Sequence, residues 1–103
     1  MSWFVYIVKG RDGSLYTGIT TNPPRRVLEH NSKTGAKSLR GRLPVVLIYK
    51  EKFPDQKSSA MREREIKSWR REKKLKLIKY SASKGFVKVH KGFTLRDVVT
   101  KGR

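Results

Sequence analysis

The spacing of apolar and polar residues changes several times along the chain, and each change marks an element. Residues 3–8, WFVYIV, form a short apolar run rich in aromatic and β-branched side chains, Arg11-Asp12-Gly13-Ser14 has turn chemistry with a glycine available for positive φ, and residues 15–19, LYTGI, resume the strand pattern. A β-hairpin is the expectation. Side chains alternate along a strand, so Phe4, Tyr6 and Val8 share one face of the first strand, while Leu15, Thr17 and Ile19 oppose Tyr16 and Gly18 on the second. The pattern leaves the register between the two strands open. Asn22 followed by Pro23 then supplies an N-cap and a first helical residue, and the helix they start places Arg26 and His30 one turn apart on a single face.

Residues 33–43, KTGAKSLRGRL, mix basic residues with glycine and show no sustained period, which predicts a cationic loop. Pro44 opens the run VVLIYKE at residues 45–51, whose nearly continuous apolar character predicts a central strand covered on both faces. Phe53-Pro54 ends it. Asp55 or Ser58 caps a second helix reaching about Ser68, and residues 69–80 form a third, with Trp69, Leu75 and Ile78 turned inward and a dense row of Lys and Arg opposite. The apolar face of that third segment is short, which suits a core-facing helix better than one lying on a membrane. Beyond Tyr80 the stretch SASKG reads as a linker, residues 86–90 alternate weakly, and Thr94-Leu95-Arg96-Asp97 has capping-box character. A small appendage of one strand and one helical turn, or a partly ordered tail, is expected there. The fold class is therefore α+β: a small, mainly antiparallel three-stranded sheet flanked by helices, with residues 1–80 as the domain and 81–103 as a basic extension.

A length of 103 residues suffices for one domain and a single site. Charge says more. Lys and Arg number 26 against 8 Asp and Glu, a formal net charge of +18, which calls for a polyanionic partner, with nucleic acid ahead of an anionic membrane. Lys33, Lys37, Arg40 and Arg42 of the predicted loop, with Arg70 and Arg71 at the start of the third helix, are the candidate phosphate contacts; a merely solvated loop is the plainer alternative. No apolar run approaches the ~20 residues of a spanning helix, and no signal-like segment opens the chain. The absence of cysteine excludes a disulfide framework and a thiolate metal site, and a cytoplasmic protein is the simplest reading.

No internal repeat, glycine-rich nucleotide loop, His/Cys cluster or nucleophile elbow is present, so the chemistry falls to tyrosine, arginine, histidine and carboxylate. Glu63 stands between Ala60 and Ile66 at three-residue steps, a carboxylate in a line otherwise turned to the core. Glu65 has a rival claim between Met61 and Trp69 at four-residue steps, which a helix break at Ser68 weakens. Each also has a plainer reading as half of a surface ion pair, Glu63 with Lys67. In the same way Tyr6 and Tyr16 read as sheet tyrosines with hydroxyls at the rim, and His30 as a charge at a helix end.

The motifs Trp-Phe-Val-Tyr, Tyr-Thr-Gly-Ile-Thr-Thr, Arg-x-x-x-His-Asn, Gly-Ala-Lys and Arg-Glu-x-x-Ile-Lys occur in this order from Trp3 to about Ile78. Together they resemble the GIY-YIG nuclease superfamily, and more narrowly its short stand-alone bacterial branch. Phe4 stands where the superfamily name has Gly, and Thr17 where it has Ile; both tyrosines remain. The resemblance implies that Tyr6, Tyr16, Arg26, His30 and Glu63 surround one scissile phosphodiester, with Glu63 holding a single Mg²⁺ or Mn²⁺. It implies metal-dependent cleavage of nucleic acid, DNA rather than RNA, at low sequence specificity. Arg26 would neutralise charge on the phosphate, and Tyr6 would act as base, its pKa lowered by Arg26, the metal and the cationic field, while Tyr16 orients it or the phosphate. The alternatives are a non-catalytic nucleic-acid-binding protein and a small basic protein of the ribosome, neither of which needs Glu63.

Overall fold

The computed structural model describes residues 1–84 and the short strand Lys88–Val89. Strands β1 (Trp3–Lys9) and β2 (Leu15–Thr20) pair antiparallel around the predicted turn. Gly13 takes the corner at φ 85°, and the Asp12 carboxylate accepts from both the N–H and the hydroxyl of Ser14. Helix α1 (Pro23–Asn31) follows directly, with the Asn22 side chain accepting from the Arg25 N–H at 3.1 Å. Strand β3 (Val46–Phe53) joins the other side of β1 antiparallel. Helix α2 (Gln56–Lys67) starts at Asp55, which accepts from the Ser58 N–H at 2.7 Å, and stops at Ser68. Helix α3 (Arg71–Lys84) and strand β4 (Lys88–Val89), parallel to β3, complete the described chain, in sheet order β2-β1-β3-β4. The α+β class with a three-stranded antiparallel sheet is as expected, with β4 as a two-residue addition at its edge.

The alternation of β1 divides the interior. Val5 and Ile7 enter a core with Tyr49, Phe53, Ile66 and Leu77 beneath α2 and α3. Tyr6 and Val8 enter a second cluster with Leu39 and Val45, flanked by Val27 of α1 and by Tyr16. Asn31 fastens α1 across this second face: its Nδ2 donates to the Val45 carbonyl at 3.1 Å and its Oδ1 accepts from the Val45 N–H at 2.8 Å, as a strand neighbour would.

Several expectations need correction. The strand flanked along nearly its whole length is β1, not the run at 45–51, and Val46 is 56% exposed. The apolar run there reflects an irregularity: pairing passes from Ile7–Tyr49 to Val8–Leu47, so Ile48 is extra, and Leu47 and Tyr49 serve opposite clusters while Ile48 packs on the larger core. The cationic loop contains a 3₁₀ helix, Lys37–Arg42, which turns Leu39 into the core. Trp69 and Ile78 pack against the larger core as expected, but Leu75 is 41% exposed and Leu77 and Ser81 are the buried residues of α3, which continues through most of the supposed linker to Lys84. The capping box at 94–97 lies outside the described residues. Among the described residues no helix is long and apolar enough to cross a membrane.

Candidate active site

Tyr6 lies directly opposite Gly18 in the β1–β2 ladder, and its ring leans over β2. A Cβ at position 18 would stand 2.7 Å from the Tyr6 hydroxyl and 2.9 Å from the ring carbon bearing it, so only glycine lets the tyrosine take this position. Gly18→Ala therefore overpacks the site by displacing a buried, hydrogen-bonded ring. We expect a loss of about 1–3 kcal/mol in urea-monitored stability. Unchanged stability would mean that Tyr6 shifts freely.

His30, on the last turn of α1, holds the Tyr6 hydroxyl. The Tyr6 oxygen and His30 Nε2 are 2.8 Å apart, and the Ala36 N–H donates to His30 Nδ1 at 3.2 Å. An Nδ1 that accepts carries no proton, so in the neutral ring Nε2–H donates to the Tyr6 oxygen. Gly35 makes room for the imidazole, because a side chain there would collide with the ring and the His30 backbone. His30 is 1% exposed, and burial, followed by the Arg26 charge, lowers its pKa below the ordinary histidine value. It is thus a neutral donor inside the fold, not a charge at a helix end.

That burial has a sign. On acidification the unfolded chain protonates His30 near the ordinary value of about 6.5, whereas the folded chain resists until lower pH. Between the two the unfolded state binds more protons, so stability falls as pH drops below about 6.5. Urea midpoints measured from pH 7 to pH 5 should decline in the wild type and less steeply in His30→Gln; equal slopes would remove His30 from the acid response.

Tyr16 closes the cluster, its ring centroid 6.3 Å from that of Tyr6 and 5.5 Å, edge-on, from that of His30. Arg26 of α1 stands close enough for its charge to act on the Tyr6 hydroxyl, while its Nη1 donates to Glu29 Oε1 at 2.8 Å. Four of the expected residues, Tyr6, Tyr16, Arg26 and His30, thus form one continuous group. Without a cation at Glu63 the Tyr6 pKa is not lowered. Burial, then the neighbouring Tyr16, pushes it up to about 12, and Arg26 pulls the other way without prevailing.

Glu63 stands farther off, close enough for its charge to act on the Tyr6 hydroxyl and only partly exposed. Its carboxylate also pairs with Lys67 at 3.1 Å, the ion pair that spacing suggests. Glu65, in contrast, is more than half exposed and accepts from Arg62 Nη1 at 2.7 Å. The fully buried residues of α2 are Ser59, Arg62 and Ile66; the Ala60–Glu63–Ile66 line borders them, with Ala60 and Glu63 half-buried, whereas Met61 and Glu65 are exposed. Arg62 was hidden because a charged residue at core spacing reads as surface.

Of the candidate phosphate contacts, Lys33, Lys37, Arg40 and Arg70 are exposed. Arg42 is engaged with Asp12 at 3.6 Å, and Arg71 donates to the Gly13 carbonyl at 2.9 Å, so these two brace the hairpin turn from the 3₁₀ helix and from α3. Glu29 was not anticipated; it holds Arg26 and, at 3.6 Å, Arg25.

A tyrosine pair from a hairpin, joined by arginine and histidine from the following helix and a carboxylate from a later one, defines a class. The pattern of the GIY-YIG catalytic domain matches residues 2–76, and the chain belongs to this family, whose superfamily is one of nucleases. Within it the chain is similar to the UPF0213 proteins. That of Desulfotalea psychrophila is 48% identical over 90 residues, covering 86% of this chain and 81% of its own, and that of Haloquadratum walsbyi is 54% identical over 74 residues, covering 72% and 83%. The solution NMR structure of the UPF0213 protein from Bacillus halodurans is 42% identical, covers 77% of this chain and 84% of its own, and aligns with a TM-score of 0.51.

Proposed function

We propose that the protein hydrolyses phosphodiester bonds in nucleic acid, DNA in preference to RNA, with low sequence specificity. The observation that supports this best is the Tyr6–His30 hydrogen bond of 2.8 Å beside Arg26: a buried oxygen fixed by one donor, next to a cation able to receive a phosphate. Arg26 keeps donors beyond the one given to Glu29, and these neutralise the charge that grows on the non-bridging oxygens. Tyr6, in its phenolate form after its own proton has passed to solvent, takes the proton of the attacking water, and His30 positions Tyr6 without touching the substrate. Tyr16 contributes a hydroxyl from the neighbouring strand.

The donor chemistry fits one hard divalent cation, Mg²⁺ or Mn²⁺. Glu63 offers carboxylate oxygens at a partly exposed position, and no group of three or more His, Cys, Asp and Glu able to enclose a metal exists among the described residues. Mg²⁺ suits a site with one carboxylate, because it keeps waters and takes phosphate oxygens. Bound at Glu63, the cation would supply charge neutralisation at the scissile phosphate and its leaving oxygen.

Affinity is assigned to the 3₁₀ helix and its surroundings. Replacing Lys37, Arg40 and Arg42 together by Ala weakens DNA binding and flattens its salt dependence by roughly 0.9 per lost duplex phosphate contact. An unchanged slope in a salt titration would remove this segment from the binding surface. A cytoplasmic site of action accords with a chain that has no cysteine.

The second reading, a binding protein without turnover, has its own support in the Glu63–Lys67 pair and a raised Tyr6 pKa. Incubating the purified protein with branched, single-stranded and duplex DNA and with RNA, in Mg²⁺, Mn²⁺ or chelator, separates the two. Retained binding without cleavage under every condition selects the binding protein.

A further inference from the structure

Glu51 of β3 and Arg62 of α2 are 1% and 5% exposed, and neither touches the proposed chemistry. Arg62 Nε donates to Glu51 Oε1 at 2.8 Å, and its Nη2 is 3.4 Å from Oε2 of the same carboxylate. The Tyr49 hydroxyl donates to Glu51 Oε2 at 2.9 Å, and the Arg62 guanidinium lies 5.1 Å from the centre of the Trp69 ring. A carboxylate and a guanidinium have thus been carried into the larger core and aligned there.

Stability does not explain the arrangement. Desolvating two charges offsets most of their attraction, and well-packed apolar residues of similar volume often serve as well or better. Orientation is what distinguishes the pair. Apolar side chains tolerate small rotations and slides of a helix, whereas a guanidinium and a carboxylate joined through two donors have one good geometry. Arg62 is the residue immediately before Glu63. With 3.6 residues per helical turn, fixing Arg62 toward β3 fixes Glu63 one step further round the helix.

We infer that the buried Glu51–Arg62 pair is a positioning device: it sets the rotation of α2 against the sheet and thereby aims the Glu63 carboxylate at the tyrosine cluster. The functional part of this inference rests on the nuclease reading; the orientational part does not. Both partners are positioning residues. Tyr49 fixes the Glu51 carboxylate, and Glu65 fills the remaining Arg62 donor from the solvent side.

The test removes both charges and the Tyr49 hydroxyl together, in the triple variant Tyr49→Phe/Glu51→Met/Arg62→Met, so that neither charge of the pair is left buried without the other. Backbone residual dipolar couplings report the orientation of α2 relative to β1 and β3, Mn²⁺ titration followed by electron paramagnetic resonance reports the Glu63 site, and kcat and KM report cleavage. The expected result is a folded protein with a Tm at or above that of the wild type, altered α2 couplings, and Mn²⁺ affinity and kcat each reduced by roughly tenfold or more, the range seen when groups supporting a metal ligand are removed. KM for DNA stays near the wild-type value. Arg62→Lys, which keeps the charge and loses the fork, is expected to show the same changes in smaller measure. A folded triple variant with wild-type couplings and Mn²⁺ affinity overturns the inference. A triple variant that does not fold, together with Arg62→Lys of wild-type Mn²⁺ affinity and couplings, makes the pair a stabilising element and also overturns it. Altered couplings in the variant, beside a wild type that neither binds Mn²⁺ nor cleaves, would uphold the orientational role and reject the nuclease reading alone.

Discussion

Glu63→Gln is expected to abolish metal-dependent cleavage while leaving DNA affinity unchanged or slightly raised. The amide keeps the size and hydrogen-bonding capacity of the carboxylate but lacks the charge that holds a divalent cation. Loss of several kcal/mol of charge stabilisation corresponds to a fall of roughly three orders of magnitude or more in rate. Binding moves the other way, because one negative charge leaves a surface whose chain carries a net +18. Lys67, freed from its 3.1 Å partner, adds to the cationic field. Glu65→Gln retains an oxygen to accept from Arg62 and should cleave at close to the wild-type rate. Cleavage rates and DNA affinities for both variants across Mg²⁺ and Mn²⁺ titrations decide the matter. An active Glu63→Gln beside a dead Glu65→Gln would transfer the metal to the other carboxylate and overturn the site assignment.

Tyr6→Phe carries the second large effect. Removing a positioned general base lowers kcat/KM by roughly 10²–10⁴, and the His30 Nε2–H loses its acceptor in a buried setting, at a cost of about 1–3 kcal/mol in stability. The pH dependence identifies the role. With its pKa pushed up to about 12, Tyr6 is protonated at neutral pH, and the scarce phenolate is a strong base. The rate should therefore climb with unit slope from neutral pH into the alkaline range, toward a plateau that a cation at Glu63 would bring below the metal-free value, and this climb should vanish in Tyr6→Phe. A plateau well below pH 10 that survives in the variant would assign proton removal to another group.

Local chemistry made much of the architecture readable. Gly13 beside Asp12, Asn22 before Pro23, Asp55 before Ser58 and the break at Ser68 are decided within a few residues, and each lies where spacing places it. The site residues were not legible in this way: spacing alone leaves Tyr6 and Tyr16 as sheet tyrosines and His30 as a helix-end charge, and it is the resemblance, through the order of its motifs, that singles them out with Arg26. What else was not legible depends on distant partners. Glu51 reads as the polar end of a strand and Arg62 as a helix surface, and only their meeting buries both. Spacing turns Leu75 inward, and only the docking of α3 shows Leu77 to be the buried leucine. The Tyr6 pKa shows the same limit: summing nearby positive charges predicts a decrease, while burial, which the sum omits, decides the direction.

Because consecutive residues of β1 serve opposite sides of the sheet, the strand cannot change length by a single residue without a bulge like the one that accommodates Ile48 in β3. An insertion or deletion of one between Trp3 and Val8 would transfer Tyr6 beneath α2 and α3 and bring an aliphatic side chain to His30, exchanging foundation and chemistry in one event. A change of two would preserve the faces and still move the phenol about 6.6 Å along the strand, out of reach of the imidazole. Within this scaffold the apolar positions of β1 can exchange one apolar side chain for another while Tyr6 stays, and variation in length falls to segments that bear on neither side of the sheet.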